Sequence, residues 1–224
     1  MSLGGLAYET FRSAGREEYL MRIGPVEAPP ILIVPPLFEE MNRTRALVAG
    51  VMRALAGKGM SGWLPDLKGT GESLEALETS RWEDWRHDVM AAADHLQARS
   101  GKTPLIASIR GGCLIDDAAA AIGWWRLAPV PGASLVRDMT RAGLAGVEWA
   151  GYAPSDSLKG RLADATAVHQ EPLRTARLSS DAAPADIKLS GPALWRRSEP
   201  GSAPELAEAM AADIVEWHAA CVVS

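Results

Sequence analysis

The stretch from Thr103 to Ile115 limits what this chain can fold into more than any other. An apolar run, Leu105-Ile106-Ala107-Ser108-Ile109, meets Arg110-Gly111-Gly112 and continues as Cys113-Leu114-Ile115-Asp116-Asp117 and an alanine run. That order predicts a strand, a tight turn and a helix reaching about Ile122. Small residues crowd the turn, as they must where a strand folds straight into an element packed on the same sheet. The tip of the turn is Arg110. Arginine is permanently charged and carries neither hydroxyl nor thiol, so the tip has no nucleophile.

The rest of the chain can be placed around this joint. Residues 6–12 and 18–23 are short β-like runs about Ser13-Ala14-Gly15-Arg16, an opening hairpin. Ile31-Leu32-Ile33-Val34 reads as a strand buried on both faces, ended by Pro35-Pro36. A helix follows over 43–58, with Leu47, Val48, Val51, Met52 and Leu55 on one face. Residues 62–65 are a short strand running into the glycine-rich turn Asp66-Leu67-Lys68-Gly69-Thr70-Gly71-Glu72-Ser73. A second helix, 81–98, carries the stripe Trp82, Trp85, Val89, Ala92, Ala93 and Leu96. Residues 124–130 are an apolar run. Residues 133–172 carry two helical patterns and a strand-like 147–152, read as a short cap. Residues 173–179 and 191–197 are candidate last strands, and 203–220 is a closing helix. Strands alternating with helices from residue 31 predict a mainly parallel sheet with helices on both sides.

At 224 residues the chain is expected to form one domain, 1–224, with a real core. A net charge of -5 argues against nucleic-acid binding, which needs a concentrated basic face. Charge, Gly and Pro interrupt every apolar run well short of a membrane span. The opening Met1-Ser2-Leu3-Gly4-Gly5 lacks the pattern of a signal peptide, and Cys113 and Cys221 make no disulfide framework. These features predict a soluble, cytoplasmic protein.

Four landmarks in this order resemble α/β hydrolases. They are Ile31 through Pro36 with its loop, the Asp66-x-x-Gly69-x-Gly71-x-Ser73 turn, the Trp82-x-x-Trp85-x-x-Asp88 helix, and the turn at Arg110. The loop Pro35-Pro36-Leu37-Phe38-Glu39-Glu40-Met41-Asn42-Arg43 and the stretch Ala150-Gly151-Tyr152 resemble one group in particular. These are the hydrolases associated with exosortase A systems, which accompany exopolysaccharide clusters in Gram-negative bacteria. The likeness covers residues 25–155. It implies an α/β-hydrolase fold with an N-terminal hairpin and an abbreviated cap at 133–172. It also implies that the turn is the nucleophile elbow, G-x-S-x-G, with acid and histidine following in chain order.

Measured against that pattern the chemistry is incomplete. Arg110 stands at the nucleophile position. Asp181, just past residue 179, is a candidate acid. The histidine is expected near Ser198-Glu199-Pro200-Gly201, and none is there. His87, His95, His169 and His218 lie elsewhere in the chain. Ser108 and Cys113 are substitute nucleophiles: Ser108 shares a strand face with position 110, and Cys113 opens the expected helix, whose dipole favours a thiolate.

Arg110 with the Gly111 and Gly112 amides suggests an anion site, bordered by Phe38, Glu39 and Glu40 on the facing loop. The rival is an internal Glu40–Arg110 ion pair that plugs the site. An acidic small molecule or a protein partner fits the first reading and a non-catalytic scaffold the second. An ester or thioester hydrolase using Cys113 or Ser108 is a third. No cofactor is expected. Gly101-Lys102-Thr103 lacks the upstream glycine of a phosphate loop, and neither Asp116-Asp117 nor Glu39-Glu40 has a neighbouring histidine to suggest a metal.

Overall fold

A long antiparallel hairpin opens the fold. In this computed structural model, which describes residues 5–142, 149 and 151–223, β1 (Leu6–Ser13) and β2 (Arg16–Ile23) form that hairpin. Next come β3 (Pro30–Val34), α1 (Glu39–Gly57), β4 (Ser61–Pro65), α2 (Trp82–Ser100), β5 (Leu105–Ile109) and β6 (Trp124–Leu127). The chain continues through α3 (Gly132–Ala142), α4 (Asp156–Asp164), β7 (Leu173–Leu178), β8 (Ile187–Leu189) and α5 (Pro204–Val223).

One sheet holds all eight strands of the described residues, in the order β1-β2-β4-β3-β5-β6-β7-β8. The hairpin joins antiparallel, and every pair from β4 to β8 is parallel. β3, β5 and β6 are buried at every residue because helices cover both faces. One core lies beneath α1 and α5 and contains Ile31, Ile33, Leu47, Met52, Trp125 and Ile214. The other lies beneath α2 and the 132–164 segment and contains Leu32, Val34, Trp63, Trp85 and Leu158.

α1 begins at Glu39, inside the stretch expected to be a loop before residue 43, and Glu39 and Glu40 are in its first turn. Two further expectations about elements do not hold. After Arg110 there is no α-helix reaching residue 122. The chain makes two 3-10 turns, Arg110–Leu114 and Asp116–Ala118, and then enters β6. Gly111 and Gly112 are poor helix formers. The two adjacent aspartates are also drawn apart: Asp116 pairs inward with Arg126 at 2.6 Å, and Asp117 with Arg86 at 2.6 Å. Cys113 therefore does not open a helix.

The last strand is β8, not residues 191–197. Pro192 cannot donate to a ladder, and Leu194–Arg196 forms a 3-10 turn that buries both Leu194 and Trp195 in the same core. A strand would have sent those neighbours to opposite faces. Of the strand-like 147–152, Val147, Glu148 and Ala150 lie outside the described residues, while Trp149 and Tyr152 form an antiparallel bridge. Among the described residues no helix is long and apolar enough to cross a membrane.

The glycine-rich turn is a self-contained support. Asp66 accepts the Glu72 amide at 3.1 Å. A Cβ on Gly71, at φ +57°, would fall 1.9 Å from an Asp66 carboxylate oxygen, so only glycine fits. Next to it, Arg16 bridges two fully buried carboxylates, Glu18 at 3.2 Å and Asp88 at 2.9 Å. One guanidinium shared by two acids leaves their burial incompletely offset.

Burial raises the pKa of Glu18, Asp88, Asp66 and Glu40 from ordinary values of 4.5 for Glu and 3.8 for Asp. Groups raised in the fold bind protons more tightly folded than unfolded, so stability falls as pH rises from those ordinary values through the raised ones. Bringing the pH down from neutral toward the ordinary carboxylate range is therefore expected to raise the unfolding free energy. Further acidification reverses the gain as Glu9, Asp84 and Asp181, whose pKa values are lowered, take up protons. Urea titrations across pH measure the slope, and Glu18→Gln should flatten it above the ordinary range. A slope of opposite sign there would show that these carboxyls are not desolvated.

Candidate functional site

The tip of the β5 turn is held in a conformation that few residues adopt. Arg110 has φ +55°, the left-handed region that costs a non-glycine residue of the order of 1–3 kcal/mol. The turn is pressed against β3: a Cβ on Gly112 would lie 2.5 Å from the Pro35 carbonyl oxygen and 2.6 Å from that of Val34. Small residues at 111 and 112 are thus a packing requirement. A second strained residue faces the turn. Phe38, at φ +56°, precedes α1 and is clamped edge-on by Trp85, Trp149 and Tyr152 at 5.4–5.9 Å between ring centres.

The Phe38 clamp places the first turn of α1 over the tip. Glu40 accepts from Arg110 Nη2 at 2.8 Å and from Nε at 3.2 Å. Each side chain is only 11% exposed. The guanidinium also lies over the Trp195 ring, 5.1 Å from its centre, and reaches the Ala128 carbonyl at 3.4 Å. Burial raises the Glu40 pKa, and the hydrogen bonds from Arg110 pull it back.

The residues on either side of Glu40 tie the same turn to other elements. Glu39 pairs with Arg43 at 3.5 Å, Arg43 donates to the Trp195 carbonyl at 3.1 Å, and Asn42 donates to the Tyr152 hydroxyl at 2.8 Å. The first turn of α1 with its cap Phe38 is therefore a hub of side-chain contacts joining α1 to the β5 turn, the 149–152 bridge and the turn at Trp195.

A cavity of about 540 Å³ adjoins this hub, with Glu40 and Arg110 in its lining and Leu37, Leu135, Met139 and Trp195 as apolar wall. Arg137, Asp138 and Arg196 line its exposed side. Ser134 is the one hydroxyl among the described lining residues, and it accepts from Arg137 at 3.0 Å. No histidine or cysteine is among them.

The remaining sequence candidates lie apart from the cavity. Ser108 and Cys113 are fully buried, and burial pushes the Cys113 thiol well above its ordinary pKa, opposing a thiolate. Asp181 is occupied locally: it accepts the Ala183 amide at 2.9 Å and pairs with Arg177 at 2.8 Å. These contacts, the amide first, lower its pKa.

His95 faces Glu9 at 3.5 Å and His169 faces Glu171 at 3.2 Å. His87 is exposed on α2. His218 lies on α5, where burial and then Lys102 lower its pKa. Neither Trp195 nor the buried pair Asp116–Arg126 is among the candidates that the sequence offers. The charge of Arg126 within the buried run Trp124-Trp125-Arg126-Leu127 was the available signal, since a buried cation needs a partner.

No family model matches the sequence, and no curated protein matches it. Solved structures do. Est1E from Butyrivibrio proteoclasticus, an α/β hydrolase seen with ferulic acid bound, superposes with a TM-score of 0.63 and 14% identity. The match covers 94% of this chain and 99% of that one. The epoxide hydrolase VrEH1 from Vigna radiata gives a TM-score of 0.44 at 19% identity, over 56% of this chain and 40% of that one. The hypothetical protein PA2218 from Pseudomonas aeruginosa gives 0.49 at 14%, over 62% and 47%. This chain thus spans less than half the length of those two proteins. The Est1E match, nearly complete along both chains, establishes the α/β-hydrolase fold.

Proposed function

We propose that this chain is a catalytically silent α/β-hydrolase-fold protein of the exosortase-associated type, cytoplasmic, that binds an acidic small molecule or a partner protein rather than cleaving an ester. One observation carries the reading: the tip of the nucleophile elbow is Arg110, and its Nε and Nη2 are both taken by buried Glu40. An attacking oxygen is missing from that position, and no imidazole is among the described cavity residues to activate another. The cavity nevertheless stays open beside the pair. Arg137 and Arg196 form no ion pair among the described residues, so an acidic ligand would meet positive charge that Glu40 does not neutralise, although Asp138 opposes it.

The internal pair favours the plugged reading for the Arg110 guanidinium itself, and it moves anion recognition to the rim. An ester hydrolase acting through Cys113 or Ser108 is the competing reading. Full burial of both side chains counts against it.

Assays on p-nitrophenyl esters test the proposal. No turnover above the uncatalysed rate is expected from the wild type, and Arg110→Ser should remain inactive because the base is also missing. Strong turnover by Arg110→Ser would overturn the reading. Wild-type turnover abolished by Cys113→Ala or Ser108→Ala would establish the competing one. Binding is read separately by thermal shift with citrate, which should stabilise the wild type and not Arg137→Ala/Arg196→Ala.

A further inference from the structure

The outer surface of the α1–α5 layer divides its charge by helix. α1 and its capping residue expose Arg45, Arg53 and Lys58 and no acid. α5 exposes Glu205, Glu208 and Glu216 and contains no lysine or arginine. Among the described residues the two ridges share one ion pair, Lys58 with Glu208 at 3.4 Å, and Glu216 turns away to Arg174 at 3.2 Å. Arg45, Arg53 and Glu205 form no ion pair among the described residues. Glu208 is 63% exposed, which leaves room for a second cation.

The helices cross where Gly50 meets Ala207, with a Gly50 Cβ position 3.1 Å from the Ala207 Cβ. Beside that crossing runs a shallow hollow of about 710 Å³ floored by Ala46, Ala49, Ala203 and Ala207, and a second of about 380 Å³ adjoins it. The larger hollow is lined by Arg45 and Arg53 and by no acid among the described residues. Short side chains there let another backbone approach closely, and unpaired cations flank the approach.

We propose that a second copy of this chain docks here about a two-fold axis running along the two helices, with α5 of each copy against α1 of the other. Such an axis keeps each residue at its own height along the layer, so the heights decide which charges meet. Measured from the Gly50–Ala207 crossing at 1.5 Å per residue, Arg45 lies about 7.5 Å before it and Glu205 about 3 Å before it. Arg53 lies about 4.5 Å beyond the crossing and Glu208 about 1.5 Å beyond it. Each arginine thus comes within the reach of its own long side chain of one glutamate on the other copy. Two-fold pairing uses the same patch on both copies, giving four cation–acid contacts from two pairs of residues. It also lets a chain of net charge -5 associate with itself, because most of the repelling charge is left outside the contact. The dimer is independent of what the elbow cavity does.

Sedimentation velocity on the full chain over a concentration series tests this. At low salt the wild type should reach twice the chain mass, and high salt should shift it toward monomer by screening. Arg45→Glu/Arg53→Glu and Glu205→Arg/Glu208→Arg should each weaken self-association about ten-fold or more, with unchanged circular dichroism. Mixed in equal amounts, the two variants should recover the dimer mass, because half of the contacts in a mixed pair join introduced charges of opposite sign and the other half keep the native pairing. A wild type that stays monomeric throughout overturns the proposal. So do variants that associate as well as the wild type, and a mixture that fails to recover the dimer.

Discussion

Glu40→Ala should lower the unfolding free energy by about 3–5 kcal/mol, the cost of leaving a buried charge without its partner. The charge left behind is Arg110, 11% exposed, whose other neighbours are one carbonyl at 3.4 Å and the face of Trp195. Neither replaces a carboxylate that accepts from both Nε and Nη2. Arg110→Ala should cost a similar amount by stranding Glu40. The double variant Glu40→Ala/Arg110→Ala should cost far less than the two singles summed, because no uncompensated charge remains. Urea denaturation with unchanged m-values gives the cycle. Single losses below about 1 kcal/mol are the size expected of a solvated surface pair, and would mean that the site is not plugged. Arg110→Lys separates charge from shape: an ammonium keeps the charge and loses the planar fork, so it should recover only part of the stability.

The ion pair at the heart of that expectation was legible as one of two alternatives, because Arg110 and the Glu39-Glu40 pair fall at the two loops a hydrolase turns toward each other. The buried runs of β3 and β5, the stripes of α1 and α2 and the hairpin could be read for the same reason: each is a local pattern whose period names its partner face. What could not be read depended on partners distant in sequence. The turn after Arg110 looked helical because alanines follow it, and the pull of Arg126 on Asp116 and of Arg86 on Asp117, both distant in sequence, adds to the two glycines in opposing a helix. Residues 191–197 looked like a strand from their apolar content, and the competing demand to bury Leu194 and Trp195 together is a property of the α1–α5 core. Trp195, which the Arg110 guanidinium stacks on, was invisible as a site residue because its neighbours give no hint of where that turn lands. Asn42 and Arg43 were noticed as part of a resembling loop. Their work, fastening α1 to Tyr152 and Trp195, shows only in the folded chain.

Arg126→Met should be the second large loss, again about 3–5 kcal/mol at neutral pH, and it should carry a pH signature. Arg126 is 3% exposed and Asp116 not at all, and they are joined by contacts of 2.9 and 2.6 Å. Burial works against the charge on Arg126, and Asp116 more than restores it, so the guanidinium pKa ends above its ordinary value. Arg126 in turn makes the buried carboxylate tolerable. Without the arginine, burial and the Asp117 charge act on Asp116 against the Ser108 hydroxyl only, and its folded-state pKa moves further above the ordinary 3.8 of the unfolded chain. A raised acid destabilises the fold fully above its folded pKa, and the penalty fades as pH falls back toward the ordinary value. The deficit of Arg126→Met relative to wild type should therefore shrink in mildly acidic buffer, where Asp116 can be neutral. Asp116→Asn/Arg126→Met should lie much closer to wild type at both pH values. A single-variant deficit that is the same in neutral and acidic urea titrations would assign the loss to packing of the arginine stem, and would remove the buried carboxylate as its cause.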